Sequence, residues 1–207
     1  MATQLQIINL ALAHLSEPII TLDQFGEDPR PPNLVKALAQ WDQALDVALV
    51  REPWLCAMET RRLPIDTAPP GGFGDARYTG RFTCPKETLK VWSVDDGHRF
   101  AWQAASRKDQ NGAVTRIIRA NHNGPLIADL IMRRDPEALT PLLADALAWE
   151  LAARLAGPIQ SSEEKGRWAS DKAATAYQLA AGNEASEIGG QDPAVEYGLT
   201  AARNAAP

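Results

Sequence analysis

Apolar residues recur at helical spacing at both ends of this chain and at shorter, strand-like spacing between them. The two periods cannot belong to one element, because a helix and a strand place successive side chains on different faces. The chain is therefore read as helical ends around a β middle.

Leu5, Ile8, Leu12 and Leu15 fall on one helix face. Thr3 and Gln6 have capping-box spacing, so their side chains can satisfy backbone N–H groups of the first turn. Ser16-Glu17-Pro18 ends this helix, since proline disfavours helical geometry in the residue before it. Residues 18–32 read as a loop held down by Ile19, Ile20, Leu22 and Phe25, with Pro29, Pro31 and Pro32 unsuited to a helix interior. A second helix is expected from Asn33 as N-cap, with Leu34, Leu38, Trp41, Leu45 and Ala48 as its apolar stripe and Arg51-Glu52-Pro53 as its stop.

From Trp54 to Arg134 the chain offers short runs of β-branched and aromatic residues between glycines and prolines. Strands are expected at Met58–Ile65, Tyr78–Thr83 and Leu89–Val94. Asp95-Asp96-Gly97 predicts a turn that returns His98–Gln103 antiparallel to the last of these. Ser106–Gly112 reads as a turn. Val114–Arg119 and Leu126–Met132 read as a second hairpin closed by Asn121-His122-Asn123-Gly124. The expectation is one small antiparallel sheet of four to six strands.

Thr140 and Pro141 open the next helix as N-cap and first residue. Leu142, Leu143, Ala146, Leu147, Trp149, Leu151 and Leu155 cover most of its circumference and predict burial. Gly157-Pro158 is the expected stop. A last helix is expected from Ser161, with Glu164 at capping-box spacing, to about Ala181, with Gly182-Asn183 beyond it. Its apolar side is read as Trp168, Ala176 and Leu179, with Tyr177 beside it. No period persists in the tail.

The fold class is thus α+β: a helical bundle from the N- and C-terminal helices, a small antiparallel β-sheet inserted between them, and an extended C-terminal tail. The corresponding parts are residues 1–53, 54–134, 135–183 and 184–207. A chain of 207 residues can bury such a core without disulfide or metal staples. Cys56 and Cys84 are expected to be reduced. The N-terminus lacks a basic signal-peptide region and no apolar run approaches the length of a bilayer span, which predicts a soluble protein made in the cytoplasm, with no membrane partner.

Charge follows the same division. Residues 1–50 carry 6 acids and 2 bases, residues 51–134 carry 9 and 14, and residues 135–207 carry 11 and 5, for a net charge of −5. The acidic total argues against a protein that coats nucleic acid. The basic middle includes Arg61-Arg62, Arg107-Lys108 and Arg133-Arg134.

Little in the sequence points to catalysis. His14, His98 and His122 form no metal-binding pair. His14 ends a helix and is expected to pack or cap; the other two lie at turns and are expected to be solvated. Pro70-Gly71-Gly72-Phe73-Gly74 lacks the Lys-Ser/Thr of a phosphate-cradling loop. Asp95-Asp96 and Glu163-Glu164 have local roles at a turn and a helix N-terminus. The tryptophans at 41, 54, 92, 102, 149 and 168 suit core positions. No catalytic residue, metal site or cofactor is assigned, and the chain is not read as an enzyme.

The order of these segments resembles a known family. Asn9-Leu10-Ala11-Leu12-Ala13-His14-Leu15-Ser16-Glu17-Pro18-Ile19-Ile20-Thr21-Leu22 resembles the opening of phage head-to-tail adaptors of the tail tubular protein A type, with Ser16 where that family commonly has glycine. Leu49-Val50-Arg51-Glu52-Pro53-Trp54 is similar to the family's helix end, and Glu59-Thr60-Arg61-Arg62-Leu63 to the strand after it. Thr83-Cys84-Pro85-Lys86-Glu87-Thr88-Leu89-Lys90-Val91-Trp92-Ser93-Val94 resembles the phrase in which proline precedes a strand. Asn123-Gly124-Pro125-Leu126, then 144–158 and 161–181, resemble the last turn and the two closing helices. The resemblance spans roughly residues 4–185.

It implies a virion component at the head–tail junction, forming a ring, usually of twelve copies. Its partners would be the portal protein, a tail nozzle or other tail protein, and its own copies, with DNA passing through the channel without sequence-specific binding. A closed ring needs two different faces that meet head to tail. Basic sheet residues of one copy, Arg61 and Arg62 among them, are expected to meet acidic helix residues of the next. The tail, with Val195, Tyr197 and Leu199 as anchors, is expected to order on the portal or a neighbour. Two other classes stay open: an α+β enzyme or ligand-binding protein, marked by a concave pocket with converging polar groups, and a nucleic-acid-binding regulator.

Overall fold

A computed structural model describes residues 2–26, 28–67, 77–94, 100–108, 112 and 114–188. It is a mixed α+β chain. In order come α1 (Gln4–His14), α2 (Leu22–Gly26), α3 (Pro32–Arg51), β1 (Met58–Leu63), β2 (Gly80–Thr83), β3 (Thr88–Val94), β4 (Trp102–Lys108), β5 (Val114–Ala120), β6 (Leu126–Met132), a 3₁₀ turn (Pro136–Ala138), α4 (Pro141–Gln160) and α5 (Glu163–Ile188). No helix among the described residues is long and apolar enough to cross a membrane.

The N-terminal capping box forms as the spacing predicts, with the Gln6 N–H donating to Thr3 and the Thr3 N–H to Gln6. Residues 18–32 hold more structure than a loop. Asn9 clamps Ile20, donating to its carbonyl at 2.8 Å and accepting its N–H at 2.7 Å. Thr21 and Gln24 then make a second reciprocal cap for α2. Of the four expected anchors, Ile20 is buried and Phe25 packs partly on the core. Ile19 and Leu22 face solvent. α3 begins at Pro32, where the missing N–H costs nothing, with Pro31 at the cap position. Asn33 does not cap it and instead donates to the Glu17 carboxylate at 3.1 Å.

α4 is the helix that α1, α3 and α5 all pack against. Leu143, Ala146, Leu147, Leu151, Ala152 and Leu155 are fully buried there. It runs through Gly157-Pro158 to Gln160. Proline removes one backbone bond, but tertiary contacts hold the last turn. Lys36 donates to the Pro158 carbonyl at 2.8 Å, and the Gln160 amide donates to the Leu15 carbonyl and to Glu17. Ser161 closes α4 in a left-handed conformation, so Ser162, not Ser161, caps α5, accepting from the Lys165 N–H.

α5 continues through Gly182-Asn183 to Ile188. Its buried face is Ala169, Ala173, Tyr177, Ala180 and Glu184, while Trp168 and Leu179 are 47% and 62% exposed. The expected stripe is displaced because alanines let two helices approach closely where larger side chains would hold them apart.

Among the described residues there are six strands, all antiparallel, in two three-stranded sheets ordered β1-β6-β3 and β2-β5-β4. Neither expected hairpin forms among the described residues. β3 pairs with β6 and β4 with β5, so the polar stretch 106–108 is strand. Hydrophobic pattern identifies strands but not partners across a connection. The inward rows of the two sheets meet in a second core built from Leu63, Val91, Val94, Leu126, Ala128 and Leu130 on one side and Phe82, Ile118 and Ala120 on the other. At its other face β6 sends Ile131 into the helical core. The predicted turn at 95–97 and His98 lie outside the described residues. His122 is half-buried rather than solvated, its ring 5.1 Å from Phe100 and its Nε2 3.2 Å from the Pro125 carbonyl. Trp41 and Trp54 fill the helical core, and the Trp54 indole donates to the Ala48 carbonyl at 2.8 Å.

Candidate assembly surface

Arg61 and Arg62 lie side by side on β1, an edge strand, and so face opposite ways. Opposite Arg61 stands Ala128 of β6, and opposite Glu59 stands Leu130, both in the second core. This row therefore carries charges on its core-facing side. They are reconciled by a local network. Arg61 Nε donates to Glu59 at 2.6 Å, and Arg134 donates both to Glu59 and, at 3.1 Å, to the Cys56 carbonyl. The Arg134 hydrogen bond is the main reason the Glu59 carboxyl sits below its ordinary range, with Arg61 adding to it and burial opposing.

The other row of this sheet runs from core to solvent. Met58 and Ile131 pack on the helices; next come Thr60 and Asp129, then Arg62 and Ile127. Asp129 accepts from Thr60 at 2.6 Å and from Ser93 of β3 at 2.5 Å, which ties three strands together. Arg62 is exposed, and Ile127 opposite it is 48% exposed. This end of the sheet thus offers a cation beside an aliphatic side chain.

Arg133 turns back to α3, where it donates to Asp42 and stands 3.5 Å from Asp46. Burial raises the Asp46 carboxyl, Arg133 pulls it down, and Asp42 raises it further. A basic residue following the sheet thus meets acidic helix residues within one chain. That contact was expected only between copies.

At the second sheet, Tyr78, Gly80, Arg81, Ser106, Arg107, Ile117 and Arg119 line a depression of about 160 Å³. Small-molecule sites usually measure roughly 300–1,000 Å³. Arg81 is held by Asp66 at 2.8 Å, and Asp66 also accepts from Thr83.

Several polar side chains are buried or partly buried. His14 stacks on Trp149 with ring centres 3.4 Å apart, and Trp168 meets Trp149 edge-on. Burial lowers the His14 pKa and Asp145, 4.0 Å away, opposes that. His14 packs, as its place at the helix end predicts. Tyr177 is buried beneath the Arg51 guanidinium, 4.5 Å from its ring, and burial raises the phenol well above its ordinary range. Glu184 accepts the Leu55 N–H at 2.8 Å. Burial pushes its carboxyl up, the Leu55 bond lowers it, and Glu187 raises it further. Burial also pushes the Cys84 thiol up to about 11, which keeps it protonated and unreactive. Both cysteines are free thiols. Among the described residues no cluster of three His, Cys, Asp or Glu side chains could hold a metal ion.

The structure brings Arg61 into a network and leaves Arg62 on the surface. Val195, Tyr197 and Leu199 lie outside the described residues. Sequence reading did not find Glu59, Asp42, Asp46 or Asp129 as partners. The doublet Arg133-Arg134 was visible, but nothing local shows that its two guanidiniums turn to different elements. No protein-family model matches the chain, and no curated protein matches it.

Proposed function

We propose that this chain is a structural virion protein: a head-to-tail adaptor, twelve copies of which form a ring between portal and tail and line the DNA channel. In this reading α1, α3, α4 and α5 make one bundle, and the β part is inserted into it between α3 and α4. The observation that carries the reading is the collinear order of the family-like phrases. Each falls within one element or at its end. α1 ends before Ser16-Glu17-Pro18, α3 ends before Pro53-Trp54, β1 holds Thr60-Arg61-Arg62, β3 follows Cys84-Pro85, and the two long helices close the described chain.

The surface chemistry supports the same reading. Because Arg133 is neutralised by its own α3, the basic contribution to a neighbour rests on Arg62 with exposed Ile127, and on Arg61 after Glu59 has taken its share. The tail with Val195, Tyr197 and Leu199 contributes a further contact, to the portal or a neighbour. A net charge of −5 suits a conduit, since dense phosphate neutralisation would hold DNA rather than pass it.

Negative-stain microscopy of the purified protein, with and without its portal, tests the proposal. Rings, or collars on the portal, are the expected result. A monomer indifferent to the portal refutes it.

A further inference from the structure

Two three-stranded sheets have four edge strands, β1, β3, β2 and β4. Exposed edges invite pairing with another chain unless something blocks them. Three of the four are blocked. β1 carries Glu59 and Arg61 on its core-facing row, charges that an added strand would have to cover. β3 changes register twice against β6 and is tied to α3, with Lys90 donating to the Val50 carbonyl at 3.4 Å. β2 is capped by Asp66, whose N–H donates to the Arg81 carbonyl at 2.8 Å.

β4 differs. Its seven residues pair with β5 in unbroken register, from Trp102 opposite Ala120 to Lys108 opposite Val114. Among the described residues no hydrogen bond reaches its outer backbone edge. Ala104 and Ser106 share the core-facing row with half-buried Trp102 and both are exposed, Ala104 opposite fully buried Ile118 and Ser106 opposite exposed Arg116. The second core is therefore open at this edge. From Gln103 to Ser106 the strand carries no charge, and Arg107 and Lys108 follow.

The chain after Ile188 contains a segment with the matching pattern. Val195, Tyr197 and Leu199 alternate with Glu196 and Gly198. In a strand the three apolar residues would share one face. We infer that residues 194–200 of one copy add as an antiparallel strand to the β4 edge of a second copy. Placing Glu196 opposite Arg107 puts Leu199 opposite Ala104, where it extends the second core beside Ile118, Tyr197 opposite Ser106 in the next position of that row, and Val195 opposite Lys108 at the end of the strand. The parallel arrangement with the same ion pair would carry Leu199 past the end of β4. Backbone pairing supplies affinity and the alternating side chains supply register. The donor segment and the acceptor edge are different surfaces, as a closing head-to-tail contact requires. The inference rests on the ring reading for its choice of a second copy over the same chain.

Cysteine trapping tests it. Ala105 and Gly198 are opposite in this register, at a spacing a disulfide can span. Neither is an anchor or a charge. Chains carrying Ala105→Cys are mixed with chains carrying Gly198→Cys, oxidised, and run on a non-reducing gel, while ring formation with the portal is followed by microscopy. The expected result is a linked dimer in the mixture that neither variant forms alone. Rings without the link overturn the strand addition and spare the adaptor reading. A link without rings keeps the strand addition and removes the ring. In the double variant, a link confined to single chains at high dilution and at high concentration alike overturns the choice of a second copy.

Discussion

Glu184 offers a test of how α5 is fastened to the rest of the protein. One of its oxygens accepts the Leu55 N–H at 2.8 Å, and the other is buried with no hydrogen-bond partner. Its side chain is among the few polar ones in the interior. Burial favours the neutral acid, so the folded chain holds this proton more tightly than the unfolded chain does. Unfolding then releases a proton as pH rises through the ordinary glutamate value of 4.5, and the stability contributed by this group falls from there toward neutral pH. Glu184→Gln keeps an acceptor for Leu55 and carries no charge. The stability of Glu184→Gln minus that of the native chain should therefore rise as pH increases from 4.5 toward neutral. Glu184→Ala removes the acceptor and leaves the Leu55 N–H unpaired. At pH 4.5 and below it should cost about 1–3 kcal/mol, or roughly 2–12 °C in Tm for a chain of this size, and less toward neutral pH, where the native chain loses this group's contribution. Urea melts of the three proteins across this range supply the comparison. A Gln-minus-native difference that stays flat with pH would show that the carboxylate is solvated in the folded state, and would refute the reasoning.

Three further expectations concern packing and charge. Ala173→Leu puts a large side chain into the buried contact of α5 with α4 and should cost about 1–3 kcal/mol; a Tm equal to that of the native chain would show that the two helices are not closely packed there. Arg134→Met breaks the bonds to Glu59 and the Cys56 carbonyl and should cost about 1–3 kcal/mol near neutral pH. Because Arg134 holds the Glu59 pKa down, that cost should shrink as pH falls below 4.5, and circular-dichroism melts at two pH values would show whether it does. The double reversal Arg61→Glu and Arg62→Glu should leave the monomer's circular-dichroism spectrum unchanged and impair ring formation with the portal; intact rings would remove both residues from the contact.

The termini were legible where the signal is local. Thr3–Gln6 and Thr140–Pro141 are contacts within one helical turn, and the residues alone specify them. Stops proved less secure. Gly157-Pro158 and Gly182-Asn183 weaken a helix by about 1–3 kcal/mol each. Lys36 and Gln160 outweigh the first of these stops through contacts with distant parts of the chain. α5 runs through the second to Glu184, which is fastened to Leu55. The candidate surface was legible only in part for the same reason. Arg61 and Arg62 stand out as a basic pair, but Glu59, Asp42 and Asp129 acquire meaning from the residues they meet.

By itself the sequence determined the kind and approximate position of most elements, α2 and β4 excepted, because hydrophobic period is a property of neighbouring residues. It also determined that the charge divides into acidic, basic and acidic parts. Which strands pair was decided only in three dimensions. β3 and β4 are neighbours along the chain yet belong to different sheets, since a strand's outward-facing bonds can be satisfied by any strand of suitable register. Tertiary structure likewise decided that Arg133 meets the acids of its own α3, leaving Arg62 exposed at the surface.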